Sequence, residues 1–143
     1  MRDDEAKLEH NKAAVRRFNE AVIERGDETA FHALVRPDLV NRSAPAGSPA
    51  GPDGMLYFFQ QILRPALSDL RVEIHDQIAQ GDKVTTRKTI HGTHRGALFG
   101  IPATGRAVAI EVIDIVRLVE GRYAEHWGAT NLESVVAGLA RAA

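Results

Sequence analysis

The stretch Val108-Ala-Ile-Glu-Val-Ile-Asp-Ile-Val-Arg-Leu-Val119, closed by Glu120-Gly121 and followed by Tyr123-Ala-Glu-His-Trp-Gly128, decides the fold. Its even positions read Val108, Ile110, Val112, Asp114, Val116 and Leu118, and its odd positions Ala109, Glu111, Ile113, Ile115, Arg117 and Val119. A period of two over residues that suit a pleated surface marks a strand. Glu120-Gly121 has the chemistry of a tight hairpin turn, so the chain returns as a partner strand from Tyr123 to about Ala129.

Two more strands precede this hairpin. Leu70, Val72, Ile74 and Ile78 alternate with Arg71, Glu73, His75 and Gln77, and Gly81-Asp82 turns the chain into a strand over about 83 to 94. A Gly/Pro-rich connection, 95–105, joins that strand to the next. Upstream the period lengthens. Leu8, Val15, Phe18 and Val22 fall on one helical face, with Asp3 or Asp4 able to cap its start and Gly26 at its end. Asp27 caps a short second helix carrying Phe31, Leu34 and Val35, stopped by Arg36-Pro37. Residues 43–54 hold three of the six prolines and read as a loop at a rim. A third helix runs from Met55 to Leu67 with Leu56, Phe59, Ile62 and Leu63 on one side, and Pro65 should end or kink it. After the strands, Asn131 caps a terminal helix carrying Leu132, Val135, Val136 and Leu139.

Three N-terminal helices followed by an antiparallel meander of about four strands give an α+β fold, a single domain over residues 1–143. A twisted, curved sheet with helices laid into its concavity covers one face and tends to leave a cone-shaped pocket at the open end. That length buries about two thirds of its unfolded surface without a staple. With no cysteine there is no disulfide or thiolate chemistry. The net charge is −1 and the 18 basic residues are dispersed, which disfavours nucleic acid as a partner. Apolar runs are too short for a membrane span. The charged start, Met1-Arg2-Asp3-Asp4-Glu5, has no apolar segment after it, so a cytoplasmic location is expected.

Asp114 is the polar residue standing alone in an apolar row. Burial disfavours the charged form, so its pKa should rise toward neutrality, where a carboxyl serves as general acid or base. The alternative is a structural carboxylate capped by hydroxyls or paired with a cation such as Arg87 or Lys88. His94, at the end of its strand, and His126, in the last strand, are the candidate proton partners at the open end. His91 and His94 are three apart but point to opposite faces of a strand, so no metal site is expected. His10, His32 and His75 read as surface. A two-residue turn at Glu120-Gly121 sets Asp114 opposite Trp127. A three-residue loop sets it opposite Gly128, on the face of His126.

Residues 91–127 carry Gly92-Thr-His-Arg-Gly96, then Gly100-Ile-Pro-Ala-Thr-Gly105, then Arg117 through Glu120-Gly-Arg-Tyr-Ala-Glu-His-Trp127. With Val15-Arg-Arg-Phe-Asn19 and Arg36-Pro-Asp-Leu-Val-Asn41, this pattern resembles the SnoaL-like polyketide cyclases over most of the chain. The resemblance implies the cone of the nuclear-transport-factor-two-like superfamily, commonly dimeric through the outer sheet face. It also implies a cofactor-free intramolecular aldol closure on an apolar or aromatic carbonyl ligand. The family's pocket asparagine falls on Asn41 and a pocket histidine on Asp114. Its principal catalytic aspartate falls on Gly128, which transfers no proton. The expected site is therefore Asp114, His126 and His94 for catalysis, with Asn41, Trp127, Phe59 and Gly128 against the ligand. Two other readings stand beside a cyclase or isomerase: water-driven epoxide or ester opening, and a binding domain without chemistry.

Overall fold

The computed structural model describes residues 2–142. Helix α1 (Arg2–Arg17) continues into a π-helical stretch, Phe18–Glu24, where the Arg25 N–H reaches back five residues to the Glu20 carbonyl at 3.2 Å. Val15, Phe18, Val22 and Ile23 bury the inward side of this element. Asp4 lies inside the first turn rather than capping it, and the Asp3 side chain lies outside the described residues. The Asp27 carboxylate does cap α2 (Glu28–Leu34), accepting from the Ala30 N–H at 3.0 Å.

The chain then departs from expectation. Val35–Asn41 forms a strand, β1, where the Arg36-Pro37 stop suggested only a helix end. It runs parallel to the last strand, with Asn41 opposite His126. Pro37 is tolerated because β1 is the sheet edge. The third helical stretch is α3 (Pro52–Tyr57), a π-helical stretch (Phe58–Leu63) and α4 (Arg64–Ala66). Pro65 enters at the start of the last short turn, and the backbone is extended from Leu67.

Strands β2 (Leu67–Gln80), β3 (Lys83–His94), β4 (Ala107–Val119) and β5 (Arg122–Thr130) follow as expected, so the sheet has five strands in the order β1-β5-β4-β3-β2. Helix α5 (Leu132–Ala142) closes the chain. Asn131 ties α5 to β4, its Oδ1 accepting from the Glu111 N–H at 2.9 Å. The core lies between the helices and one sheet face, with Phe18 stacked on Tyr123 at 4.5 Å and Val84, Ile110, Val116 and Leu118 beneath. Among the described residues no helix is long and apolar enough to cross a membrane.

The β4–β5 register reconciles both hairpin alternatives. Leu118 pairs with Tyr123 and Val119 with Arg122, so the turn has two residues, with Glu120 and Gly121 at φ 52° and 74°. Arg117 nevertheless pairs with Glu125, which leaves Ala124 as a bulge. That one extra residue sets Asp114 opposite Gly128. It also sends Trp127, paired with Ile115, to the outer face.

Candidate active site

Five side chains from five elements form a chain of polar contacts through this core. Asp114 on β4 is buried, and its Oδ2 lies 3.3 Å from Lys88 Nζ on β3 and 3.4 Å from His126 Nε2 on β5. Lys88 Nζ also donates to Asn19 Oδ1 at 2.6 Å, and Asn19 donates back to the Val15 carbonyl at 2.8 Å. On the other side, His126 Nδ1 meets Asn41 Oδ1 at 2.9 Å. That same oxygen accepts from the Ser43 backbone N–H at 3.1 Å, which fixes it as an acceptor. The acceptor role of that oxygen places a His126 proton on Nδ1, and the other ring nitrogen, Nε2, faces Asp114 Oδ2.

The electrostatics reverse the expectation of a near-neutral carboxyl. Burial pushes the Asp114 pKa up, but the Lys88 ammonium and the hydrogen bond and charge of His126 outweigh it and hold the pKa below its ordinary value. Asp114 is thus an ionised carboxylate in the core. Its Oδ1 is buried and has no hydrogen-bond partner. The Tyr123 hydroxyl is pushed well above its usual range, first by burial and then by the Asp114 charge.

Gly128 matters by what it lacks. A Cβ there would stand 3.1 Å from His126 Cε1 and 3.7 Å from the Asp114 Cβ. The imidazole fills space that a side chain at 128 would claim, and Gly128 itself is exposed. His126 is the more exposed member, at 18% of its side-chain surface against 8% for Asp114. Asn41 reaches the pair from the end of β1, where the chain turns into the 42–51 loop.

The remaining expected residues distribute as follows. His94 is fully buried, but it lies eight residues along β3 from Thr86, the partner of Asp114, which is about 26 Å of strand. It does not stand beside Asp114. Its Nδ1 accepts from the Thr104 N–H at 3.2 Å and contacts Thr104 Oγ1 at 2.9 Å, so it anchors the 95–105 connection. That connection also docks on α4, with the Arg95 and Gly96 N–H groups donating to the Ala66 carbonyl at 3.0 and 3.1 Å. A Cβ at Gly96 would run into the Pro65 carbonyl. Trp127 faces away from Asp114, because side chains alternate along β5. Phe59 is half-buried, with its ring 5.9 Å from Phe18 and 5.4 Å from Phe58. His91 sits on the outer face, 2.9 Å from Glu73.

Two depressions lie away from Asp114. One, of about 250 Å³, is lined by Arg36, Asp38, Arg42, Arg117 and Glu125 among others. There Glu125 bridges Arg117 and Arg42, and their hydrogen bonds lower its pKa. The other, of about 260 Å³, lies between the Phe18–Glu24 stretch and β2 and includes Asn19. Asn19 was absent from the expected site, and Lys88 entered only, with Arg87, as a cation that could pair a structural Asp114. Lys88 was nonetheless legible, because it falls on the buried row Val84, Thr86, Lys88, Ile90 of β3. That is the signal that singled out Asp114.

The family model described as SnoaL-like polyketide cyclase matches residues 13–139. The aklanonic acid methyl ester cyclases DnrD of Streptomyces peucetius and DauD of Streptomyces sp. strain C5 are each 39% identical over 46 residues. That match covers 32% of this chain and about a third of each relative. Among solved structures, IdmH of Streptomyces antibioticus, a candidate polyketide cyclase, is 27% identical with a TM-score of 0.79, over 90% of this chain and 97% of that one. AclR of Streptomyces galilaeus, a candidate hydroxylase, is 25% identical with a TM-score of 0.82, over 94% and 98%. An epoxide hydrolase of M. tuberculosis, at 18% identity and a TM-score of 0.68, shares the fold over 94% of this chain and 92% of that one.

Proposed function

Because the chain belongs to the SnoaL-like polyketide cyclase family, we propose that it closes or isomerises a small apolar carbonyl compound by cofactor-free acid/base chemistry. The observation that carries this reading is the Asp114–Gly128 cross-strand pair. A buried, ionised carboxylate with one unpartnered oxygen lies beside a residue without a side chain, in contact with His126.

Asp114 Oδ1 takes a proton from an activated methylene, and the C–H electrons delocalise into an enolate. The Asn41 side-chain amide, whose oxygen already serves His126 and Ser43, has its Nδ2 donors to offer the enolate oxygen. The enolate carbon attacks a second carbonyl of the same molecule. The new alkoxide takes a proton from the His126–Asp114 pair, which returns the pair to its starting state. A carboxylate held below its ordinary pKa is a weak base, so the methylene must be acidified from both sides. The substrate class is therefore a 1,3-dicarbonyl compound. Phe59 and Gly128 remain in this reading as ligand contacts, and Trp127 and His94 leave it. We also propose that the outer sheet face, where Ile113 is 52% exposed, pairs with a second copy.

The test is methylene exchange in deuterated water, followed by NMR on a panel of apolar 1,3-diketones and β-keto esters. The wild type should accelerate exchange, and folded Asp114→Asn should lower it at least about a hundredfold. Undiminished exchange in that variant would sink the assignment. A second reading, a binding domain without chemistry, is favoured by the Lys88–Asp114 ion pair. It predicts ligand-induced shifts with no exchange.

A further inference from the structure

The acid/base pair does not stand alone: its carboxylate is braced from behind by a buried amine that the reaction never touches. Lys88 lies on the inner row of β3, only 4% exposed, diagonal to Asp114 because its own cross-strand partner is Val112. Its Nζ has two polar neighbours, Asp114 Oδ2 at 3.3 Å and Asn19 Oδ1 at 2.6 Å. Both lie deep in the core, so the ammonium has no solvent shell to fall back on. Asn19 opens the widened helical turn and is itself buried. Its amide is held by the Val15 carbonyl, which turns its oxygen toward Lys88. π-helical turns of this kind recur at functional sites, where the extra residue re-aims a side chain.

This geometry divides the two oxygens of Asp114 between different tasks. Oδ2 is taken by Lys88 and His126, and Oδ1 is left without a partner. We propose that Lys88 is a positioning residue of this site. It supplies the counter-charge for Asp114 and orients the carboxylate so that Oδ1 is the oxygen left for substrate, with Asn19 holding the ammonium in place. The proposal rests on the acid/base reading above for its functional consequence. The groups that act on Asp114 are Lys88 from β3, His126 from β5 and, under the influence of its charge, Tyr123 from β5. Lys88 is the one fixed positive charge among them. The neutral Asn19 is the contact from the helical side.

The test replaces the amine with neutral Lys88→Gln in the full chain. Two readouts are taken: the carboxyl ¹³C titration of Asp114, and the pH profile of methylene exchange on the same dicarbonyl panel. The expected result is a rise of at least one pH unit in the Asp114 midpoint, with the acid limb of exchange moving by the same amount. A folded variant whose midpoint stays at the wild-type position overturns the proposal. If the wild type shows no exchange, the acid/base reading fails, while the titration still decides whether Lys88 sets the state of Asp114. Should Lys88→Gln not fold, the charge-neutral double variant Lys88→Met with Asp114→Asn decides. Recovery of the fold assigns the loss to an uncompensated Asp114 charge and supports the proposal. A second failure to fold means that Lys88 acts by packing alone and overturns it.

Discussion

At the scale of single residues, the reading turns on polar side chains in apolar rows. Asp114 was legible because nothing else on its face of β4 is polar. Its ionisation was not, because that depends on Lys88 and His126, which only the strand register brings within 3.4 Å. Burial alone argued for a raised pKa, and a buried counter-charge reversed the sign. The pairing has a consequence for stability. The carboxyl pKa is held below that of an unfolded aspartate, about 3.9. Its stabilising contribution is therefore present above about pH 4 and is lost as pH falls through the folded value. Asp114→Asn leaves Lys88 buried without its partner, so urea unfolding at pH 7 should show a loss of about 3–5 kcal/mol. That gap should narrow as pH is lowered from 4 toward 2, where the wild-type carboxyl also becomes neutral. A gap that stays constant over this range contradicts the pairing.

At the scale of elements, periodicity carried the four long strands and the helices, and it failed where local chemistry mixes signals. Arg36-Pro37-Asp38 breaks the alternation of β1, so this edge strand read as a stop. The Ala124 bulge left no mark in the sequence, because alanine fits either side of a strand. Yet that bulge decides which residues share the inner face with Asp114. The family pattern singled out Asn41 without revealing the strand that carries it or the hydrogen bond it makes to His126. His94 and Trp127 were misplaced for a related reason: sequence distance to the open end says nothing of position along a strand or of its face. The outer face of β4 also bears on assembly. Ile113 is exposed between Glu111 and Ile115, opposite the exposed Ala129, and the same face carries Ile78, 68% exposed. If this face pairs with a second copy, Ile113→Asp should shift the sedimentation coefficient from dimer to monomer with the fold intact. A wild type that sediments as a monomer at micromolar concentration contradicts the pairing.

At the scale of the whole molecule, the fold is an apolar body threaded by one polar chain from Asn19 to Asn41. The sheet supplies its three central members from three adjacent strands, β3, β4 and β5, and the ends come from a widened helical turn and an edge strand. Such a chain is costly to bury unless each member is satisfied, and the one atom left over, Asp114 Oδ1, is where chemistry is proposed. Gly128, which has no side chain, stands opposite Asp114 on β5. The central claim is that this core holds an ionised carboxylate, and the carboxyl ¹³C titration of Asp114 in the wild-type protein tests it most directly. The account predicts a midpoint below the ordinary aspartate value, with the group charged throughout the neutral range. A midpoint near neutrality would contradict it.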